Sequence, residues 1–166
     1  NFNQGAFDTY RKMYHSFGLG VKTEIDLPVE SLGYTSKDKA AGNLLDFVMG
    51  QYETYTPIQL SQYISTIANS GERLQPHLLK EVHSSSSNDQ IGELEFKVEK
   101  KVLNKIDTKK EYMDRVKEGF IAVLNSPGGY GVGYMNQNMK PAGKTGTSQS
   151  FIDTDGNGVI DTETIT

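Results

Sequence analysis

Several features are scarce in this chain of 166 residues, and each absence narrows what the protein can be. There is no cysteine, which excludes disulfide bonds and thiolate metal sites but leaves the redox compartment undecided. There is no run of about 18 apolar residues, so we expect nothing in this sequence to span a membrane. Tryptophan is absent, hydrophobic residues make up 36% and mean hydropathy is -0.53. This composition is lean for a self-sufficient core, and we expect the chain to fold fully only when packed on a partner.

Charge and histidine placement exclude two further classes of function. The net charge is -4 with acidic and basic residues interspersed, which argues against a nucleic-acid-binding surface. The histidines, His15, His77 and His83, lack a metal-binding spacing such as His-Glu-x-x-His, and we expect them to be structural or exposed. No cofactor is predicted.

The first amphipathic helix is predicted from aromatic residues that recur at intervals of three and four. These residues are Phe7, Tyr10, Tyr14 and Phe17. Gly18 and Gly20 should end this helix. The apolar run at residues 44–48 is too short to distinguish a strand from a helical turn.

A second helix has clear signals at both ends. Thr56 can act as the N-cap, Pro57 suits the first helical position, and Gly71 is placed to close the end in a left-handed conformation. Its predicted buried side consists of Ile58, Leu60, Ile64, Ile67 and Ala68.

Strands and a third helix complete the coarse prediction. Apolar and polar residues alternate at 78–82 and 93–98, which predicts two strands joined by a serine-rich loop. Thr108 and Glu111 form a capping-box pattern before the third helix. Its predicted buried stripe consists of Met113, Val116, Phe120, Val123 and Leu124.

The most informative feature is the tetrad Lys144, Thr145, Gly146 and Thr147. Gly146 has no side chain, so the backbone of a substrate can approach and pair with the strand predicted here. In a strand, Thr145 and Thr147 project to the same face and can offer two hydroxyls to one carboxylate. Lys144 adds a positive charge that favours an anionic ligand and can steady a hydroxyl that transfers a proton.

Two glycine-rich stretches flank the tetrad. The glycines between 128 and 133 resemble a phosphate loop only superficially, because no strand precedes them and no Lys-Ser or Lys-Thr follows, so we predict a mobile loop. Residues 153–161 approach the start of a calcium loop, which makes a weak metal-site alternative of Asp153, Asp155 and Asn157. The twelfth position is Thr164 instead of Glu, and we favour a hairpin turn between residues 150–152 and 159–160.

Further segments stand upstream of the tetrad, namely Gly18–Pro28, Gly50–Leu60, Thr66–Gly71 and Pro76–His77. In order and rough spacing they resemble segments of penicillin-binding transpeptidases, most of all the monofunctional class B type of Gram-positive bacteria. The resemblance covers about residues 17–148. It implies an α/β (α+β) fold of the penicillin-binding transpeptidase and serine β-lactamase type, with helices packed on an antiparallel sheet that is incomplete here. It also implies that residues 1–166 are the C-terminal portion of one transpeptidase domain.

The resemblance further implies a role for each residue of the tetrad. Lys144 would act in catalysis, by interacting with the serine of a Ser-x-Asn motif. Thr145 and Thr147, beside Gly146, would bind the terminal carboxylate of a D-alanyl-D-alanine stem peptide or of a penicillin. The backbone N–H of Thr147 would form half of the oxyanion hole, so this residue would be both catalytic and substrate-binding.

The nucleophile is expected in the N-terminal portion of the domain, outside this sequence. Ser36–Lys39 fits Ser-x-x-Lys in letters, but it follows Gly18–Pro28, whereas the nucleophile of the family precedes that segment. Ser86–Asn88 fits Ser-x-Asn inside a serine-rich run that is typical of a flexible loop. We interpret both as coincidental matches and expect the chain by itself to be inactive.

The predicted function is part of a peptidoglycan D,D-transpeptidase that cross-links stem peptides through a serine acyl-enzyme and binds penicillin. Expected partners are the D-alanyl-D-alanine stem peptide, β-lactams, the rest of the domain and other cell-wall synthesis proteins. The expected location is the extracellular face of the bacterial membrane, with an anchor outside this sequence. Two alternatives stay open: a serine β-lactamase or β-lactam sensor, and a non-catalytic, calcium-stabilised binding module.

Overall fold

The computed structural model describes residues 2–37, 40–86, 90–147, 149–152, 155 and 162–165. The chain divides into two compact units, Asn1–Met113 and Asp114–Thr166, and the boundary falls inside a helix. The helices are α1 (Phe2–Ser16), α2 (Ala41–Val48), α3 (Pro57–Ala68) and α4 (Lys110–Asn125). The strands are β1 (Glu72–Leu74), β2 (Glu81–His83), β3 (Leu94–Lys97), β4 (Val102–Lys105), β5 (Gln149–Ile152) and β6 (Thr162–Ile165). Within the described part of the chain, no helix combines the length and the apolar character needed to cross a membrane.

An aromatic cluster joins α1 to α2 in the first unit. Phe7 and Phe47 are both fully buried, and their rings stack with centroids 5.5 Å apart. The ring of Tyr14 meets Phe47 edge-on at 5.0 Å, and the Tyr14 hydroxyl donates to the Phe47 carbonyl oxygen at 3.0 Å. The aromatic face predicted for the first helix is confirmed, and the apolar run at 44–48, which the sequence left open, is helical.

Both predicted ends of α3 are confirmed. Thr56 Oγ1 accepts the Gln59 backbone N–H at 3.3 Å, and Gln59 Oε1 accepts the Thr56 N–H at 3.0 Å, which is a complete capping box. At the other end, Gly71 has a φ of +98° and donates its N–H to the Thr66 carbonyl oxygen at 2.8 Å. The local sequence therefore determines where this helix begins and ends.

The predicted buried side of α3 is wrong in part. Ile67 is buried, but three of the other predicted residues are exposed, namely Leu60, Ile64 and Ala68. The buried side carries Gln59, Gln62 and Thr66 instead. These glutamines face inward because the adjacent loop presents backbone carbonyls that need donors; for example, Gln59 Nε2 donates to the Val21 carbonyl oxygen at 2.8 Å.

Antiparallel strand pairs form between β1 and β4, β2 and β3, and β5 and β6. The strands predicted on either side of the serine-rich loop are present, with Val82 opposite Phe96, but β2 begins only at Glu81. The Asp26 carboxylate explains this later start, because it accepts the backbone N–H groups of residues 78 and 79 at 2.7 and 3.0 Å. Those donors are then not available to a sheet ladder.

The third predicted helix is α4, which begins at Lys110, one residue later than a cap at Thr108 requires. Its predicted buried stripe is confirmed for Met113, which is 5% exposed, but not for Val116, which is 44% exposed. From Asp114 onwards α4 belongs to the second unit, where it supports the segment that leads to the tetrad.

Candidate substrate-binding segment

The tetrad, residues 144–147, follows a loop that leaves the end of α4. The Gly143 N–H donates to the Phe120 carbonyl oxygen at 3.0 Å. Asn125 Nδ2 donates to the Pro141 carbonyl oxygen at 2.6 Å. The residues just before the tetrad are therefore attached to the last turns of α4, and this attachment lies within one compact unit.

The strand predicted at the tetrad is absent from the described chain. Residues 144–147 belong to no strand, and β5 begins at Gln149. A strand requires a hydrogen-bonded neighbour, and β6 pairs with β5 only from Gln149, opposite Ile165, onwards. The prediction of a strand edge is thus wrong in this chain, and the backbone of the tetrad is not engaged in a sheet.

All four side-chain positions of the tetrad are exposed. Around Gly146, no atom of the described residues outside its chain neighbours lies within 4 Å of the position that a Cβ would take, so a ligand has room to approach the backbone. Lys144 Nζ donates to the Thr145 carbonyl oxygen at 2.7 Å and to Thr145 Oγ1 at 3.2 Å. A cation, hydroxyls and accessible backbone groups thus occupy consecutive positions, a combination that can bind a carboxylate.

Ser36, the serine of one coincidental motif match, is 8% exposed and is not placed to attack a substrate. Its hydroxyl donates to the Tyr52 hydroxyl at 2.8 Å, and its carbonyl oxygen accepts from Arg11 Nη2 at 2.7 Å. The segment around Ser36 is therefore anchored to α1 through Arg11 and to Tyr52. The residues that complete the two matches, Lys39 and Asn88, lie outside the described residues.

The weak calcium alternative depends on three residues, Asp153, Asp155 and Asn157. Only the second of them lies within the described residues, and it is exposed. β5 and β6 pair as antiparallel strands, with Ile152 opposite Thr162, which agrees with the predicted hairpin; residues 159–160, predicted for its second strand, lie outside the described residues. Among the described ranges, no cluster of three histidine or carboxylate side chains is arranged to hold a metal ion.

A buried polar cluster in the first unit was not apparent from the sequence. Arg11 Nε donates to Glu53 Oε1 at 2.9 Å, and the Glu53 side chain is 3% exposed. The Tyr55 hydroxyl donates to Glu53 Oε2 at 3.3 Å, and burial, with a further contribution from the Glu53 carboxylate, raises the pKa of Tyr55. Because Arg11 and Glu53 are 42 positions apart, no local spacing predicts this pair. The cluster attaches the segment 50–60 to α1.

Comparison with known proteins finds penicillin-binding proteins by family, by sequence and by structure. The model of the penicillin binding protein transpeptidase domain matches residues 4–165. Penicillin-binding protein 2A of Bacillus subtilis (strain 168) is 50% identical over 149 residues, which are 89% of this chain and 20% of that protein. Penicillin-binding protein H of the same strain is 43% identical over 142 residues, covering 85% of this chain and 20% of that protein. The solved structure of penicillin-binding protein 2B from Streptococcus pneumoniae (strain R6) has a TM-score of 0.73 and 31% identity, covering 93% of this chain and 25% of that chain.

The chain spans about a fifth of the length of these two Bacillus relatives. The comparisons confirm the family predicted from the upstream segments and the tetrad. The structural match likewise confirms the predicted mixed fold of helices and antiparallel strands. The chain therefore belongs to the family of penicillin binding protein transpeptidase domains, in its class B branch.

Proposed function

We propose that this chain carries the carboxylate-binding segment of a peptidoglycan D,D-transpeptidase that works through a serine acyl-enzyme and is acylated by penicillin. The proposal rests mainly on the exposed tetrad. Its backbone pairs with no strand of the described chain, and Gly146 is open to a ligand. The peptidoglycan D,D-transpeptidase MrdA of Acinetobacter baumannii (strain ATCC 19606) is 34% identical over 162 residues, 89% of this chain and 22% of that protein. Penicillin binding protein 3 of Mycobacterium tuberculosis, solved in complex with ampicillin, is 25% identical with a TM-score of 0.56. Both relatives support the proposal.

A D-alanyl-D-alanine terminus offers a carboxylate and an extended backbone, and the tetrad has groups for both. The peptide backbone can pair with residues 145–147 as an added strand, since no strand of the described chain occupies that position. In the strand geometry that such pairing imposes, Thr145 and Thr147 project to one face and can donate two hydroxyls to the carboxylate. The exposed ammonium of Lys144 donates a hydrogen bond to the neighbouring Thr145. It can turn from there towards a ligand at little cost in free energy.

The reaction itself requires a serine that attacks the carbonyl carbon between the two D-alanines. The terminal D-alanine leaves, and the acyl group passes from the serine to an amine of a second stem peptide. We assign the Thr147 backbone N–H to one half of the oxyanion hole, where it stabilises the negative charge on the carbonyl oxygen. The serine and the Ser-x-Asn motif come from the rest of the same domain, beyond these 166 residues, on the extracellular face of the membrane.

In the full-length protein, two substitutions of Thr147 distinguish the contribution of its backbone N–H to acylation from that of its side-chain hydroxyl. Thr147→Pro removes the N–H, and the rate constant of acylation by a fluorescent penicillin should fall at least about 10²-fold. Thr147→Val retains the N–H and the β-branched shape but removes the hydroxyl, so the loss should be smaller, about tenfold. Acylation of the proline variant at the rate of the unmodified protein would refute the assignment.

The same assay distinguishes the transpeptidase from the β-lactamase alternative. A transpeptidase retains the penicilloyl group, so labelled protein should persist for much longer than the time of acylation. Rapid turnover of the β-lactam, with no persistent label, would favour the β-lactamase instead.

A further inference from the structure

The loop that joins α4 to the tetrad, residues 126–143, carries a group of uncovered neutral side chains and is here called the tyrosine loop. Tyr130 and Tyr134 are 81% and 82% exposed, and the methionines 135 and 139 are 52% and 74% exposed. A cluster of exposed aromatic and apolar side chains marks an interaction site more often than a surface without a binding role. The tyrosines of α1 and α3 make ring contacts within the first unit, whereas Tyr130 and Tyr134 make none among the described residues.

The tyrosine loop, whose glycines the sequence predicts to be mobile, is held by hydrogen bonds to α4 and within the loop itself. The Gly131 N–H donates to the Val123 carbonyl oxygen at 3.0 Å, and a Cβ at Gly131 would overlap the side chain of Leu124. Farther along, Asn136 Oδ1 accepts the Asn138 N–H at 3.0 Å at the start of a short 3-10 turn. A loop ordered before binding loses less conformational entropy when a ligand arrives.

The composition of the tyrosine loop limits the chemistry of its ligand. Residues 126–143 contain no acidic residue, and Lys140 is their one basic residue. Anionic membranes, nucleic acids and strongly charged peptides would find little complementary charge here. Three consecutive amides, at 136–138, stand between the tyrosines and the tetrad and can both donate and accept hydrogen bonds. Tyrosine rings with adaptable amides are typical of surfaces that bind neutral, hydroxyl-rich or amide-rich ligands.

We propose that the tyrosine loop binds the neutral saccharide strand to which the stem peptide is attached, while the tetrad binds the peptide terminus. This inference rests on the proposed function, because it assigns the two parts of one substrate to two adjacent parts of the second unit. Gly143, the last residue of the loop, is attached to α4 and leads directly into Lys144, so the loop and the tetrad are adjacent along the chain. The faces of the Tyr130 and Tyr134 rings contact the sugar rings, and the amides bond to hydroxyl and acetamido groups.

The test compares two substrates in the full-length protein: a soluble D-alanyl-D-alanine peptide without sugar, and the same peptide on glycan strands. The double variant Tyr130→Ala/Tyr134→Ala should lose about tenfold in kcat/KM for the glycan-borne peptide, as expected for the loss of two aromatic contacts. Its kcat/KM for the free peptide and its rate of penicillin acylation should stay within about twofold. Tyr130→Phe/Tyr134→Phe keeps the rings and should restore most of the lost rate.

Tyr112→Ala is the matched control, since Tyr112 is also exposed, at 56%, but lies on α4 outside the tyrosine loop. An equal loss with both substrates would overturn the proposal, because the loop would then act on the peptide or on the fold. Unchanged rates with both substrates would overturn it as well, because the tyrosines would then contact no part of the substrate. If instead the unmodified protein forms no penicilloyl adduct and releases no D-alanine, the proposed function itself has failed.

Discussion

Replacing the buried Glu53 by glutamine tests how the first unit is held together. The Glu53 and Arg11 side chains are 3% and 13% exposed, and the guanidinium donates two hydrogen bonds to one carboxylate oxygen. Arg11 also lies over the rings of Phe7 and Phe47, at 5.7 and 5.5 Å from their centroids. Glu53→Gln keeps the shape of the side chain but removes the charge that balances the guanidinium.

The expected cost is large because the substitution leaves an arginine charge buried without its counter-charge. Removing one partner of a buried ion pair typically lowers the free energy of unfolding by about 3–5 kcal/mol. Replacing both partners, by Arg11→Met with Glu53→Leu, removes both charges and should cost less than Glu53→Gln alone. The double variant is therefore expected to be more stable than the single one, which is the reverse of what additive losses would give.

Urea-induced unfolding of the protein, followed by far-UV circular dichroism, measures both variants. We expect Glu53→Gln to lower the free energy of unfolding by several kcal/mol and the double variant to recover part of that loss. A cost below about 1 kcal/mol for Glu53→Gln would show that Arg11 and Glu53 behave as a surface ion pair and not as a buried one.

Three further predictions concern the backbone and the acid stability of the first unit. Gly33→Ala should destabilise more than Gly50→Ala in thermal melts: both glycines have positive φ, +76° and +89°, but only at Gly33 would a Cβ overlap the Thr54 carbonyl oxygen. Thr56→Ala should cost about 0.5–2 kcal/mol because the α3 capping box is lost, and Thr56→Ser should restore most of it. Hydrogen bonds from the backbone N–H groups of residues 79 and 78 lower the pKa of Asp26 below its usual 3.8. The stability that Asp26 contributes is therefore fully present above pH 3.8 and is lost as the pH falls through the folded-state pKa. The melting temperatures of the unmodified protein and of Asp26→Asn should converge as the pH is lowered below 3.8.

Features determined by neighbouring residues were predictable from the sequence. The ends of α3 follow from Thr56, Pro57 and Gly71, which act within one turn of the helix ends. The aromatic face of α1 follows from its spacing, and the family follows from short segments in a fixed order.

Features determined by distant residues were not predictable. The inward side of α3 depends on which loops present unpaired carbonyls to Gln59, and periodicity carries no information about those loops. The strand predicted at the tetrad requires a neighbour that pairs with residues 144–147, and among the described residues the pairing of β5 with β6 reaches no further than Gln149 opposite Ile165. The Arg11–Glu53 pair forms only when α1 and the segment 50–60 are brought together. In each case the sequence provides the residues, whereas tertiary packing selects their partners.

The most direct test of the central claim is mass spectrometry of the full-length protein with and without a penicillin, first intact and then after proteolysis. We expect one penicilloyl adduct, on a serine outside these 166 residues, with its formation strongly slowed by Thr147→Pro. An adduct on Ser36, or no adduct on a folded protein, would contradict the claim that this chain supplies the carboxylate-binding segment of an acyl-enzyme-forming transpeptidase.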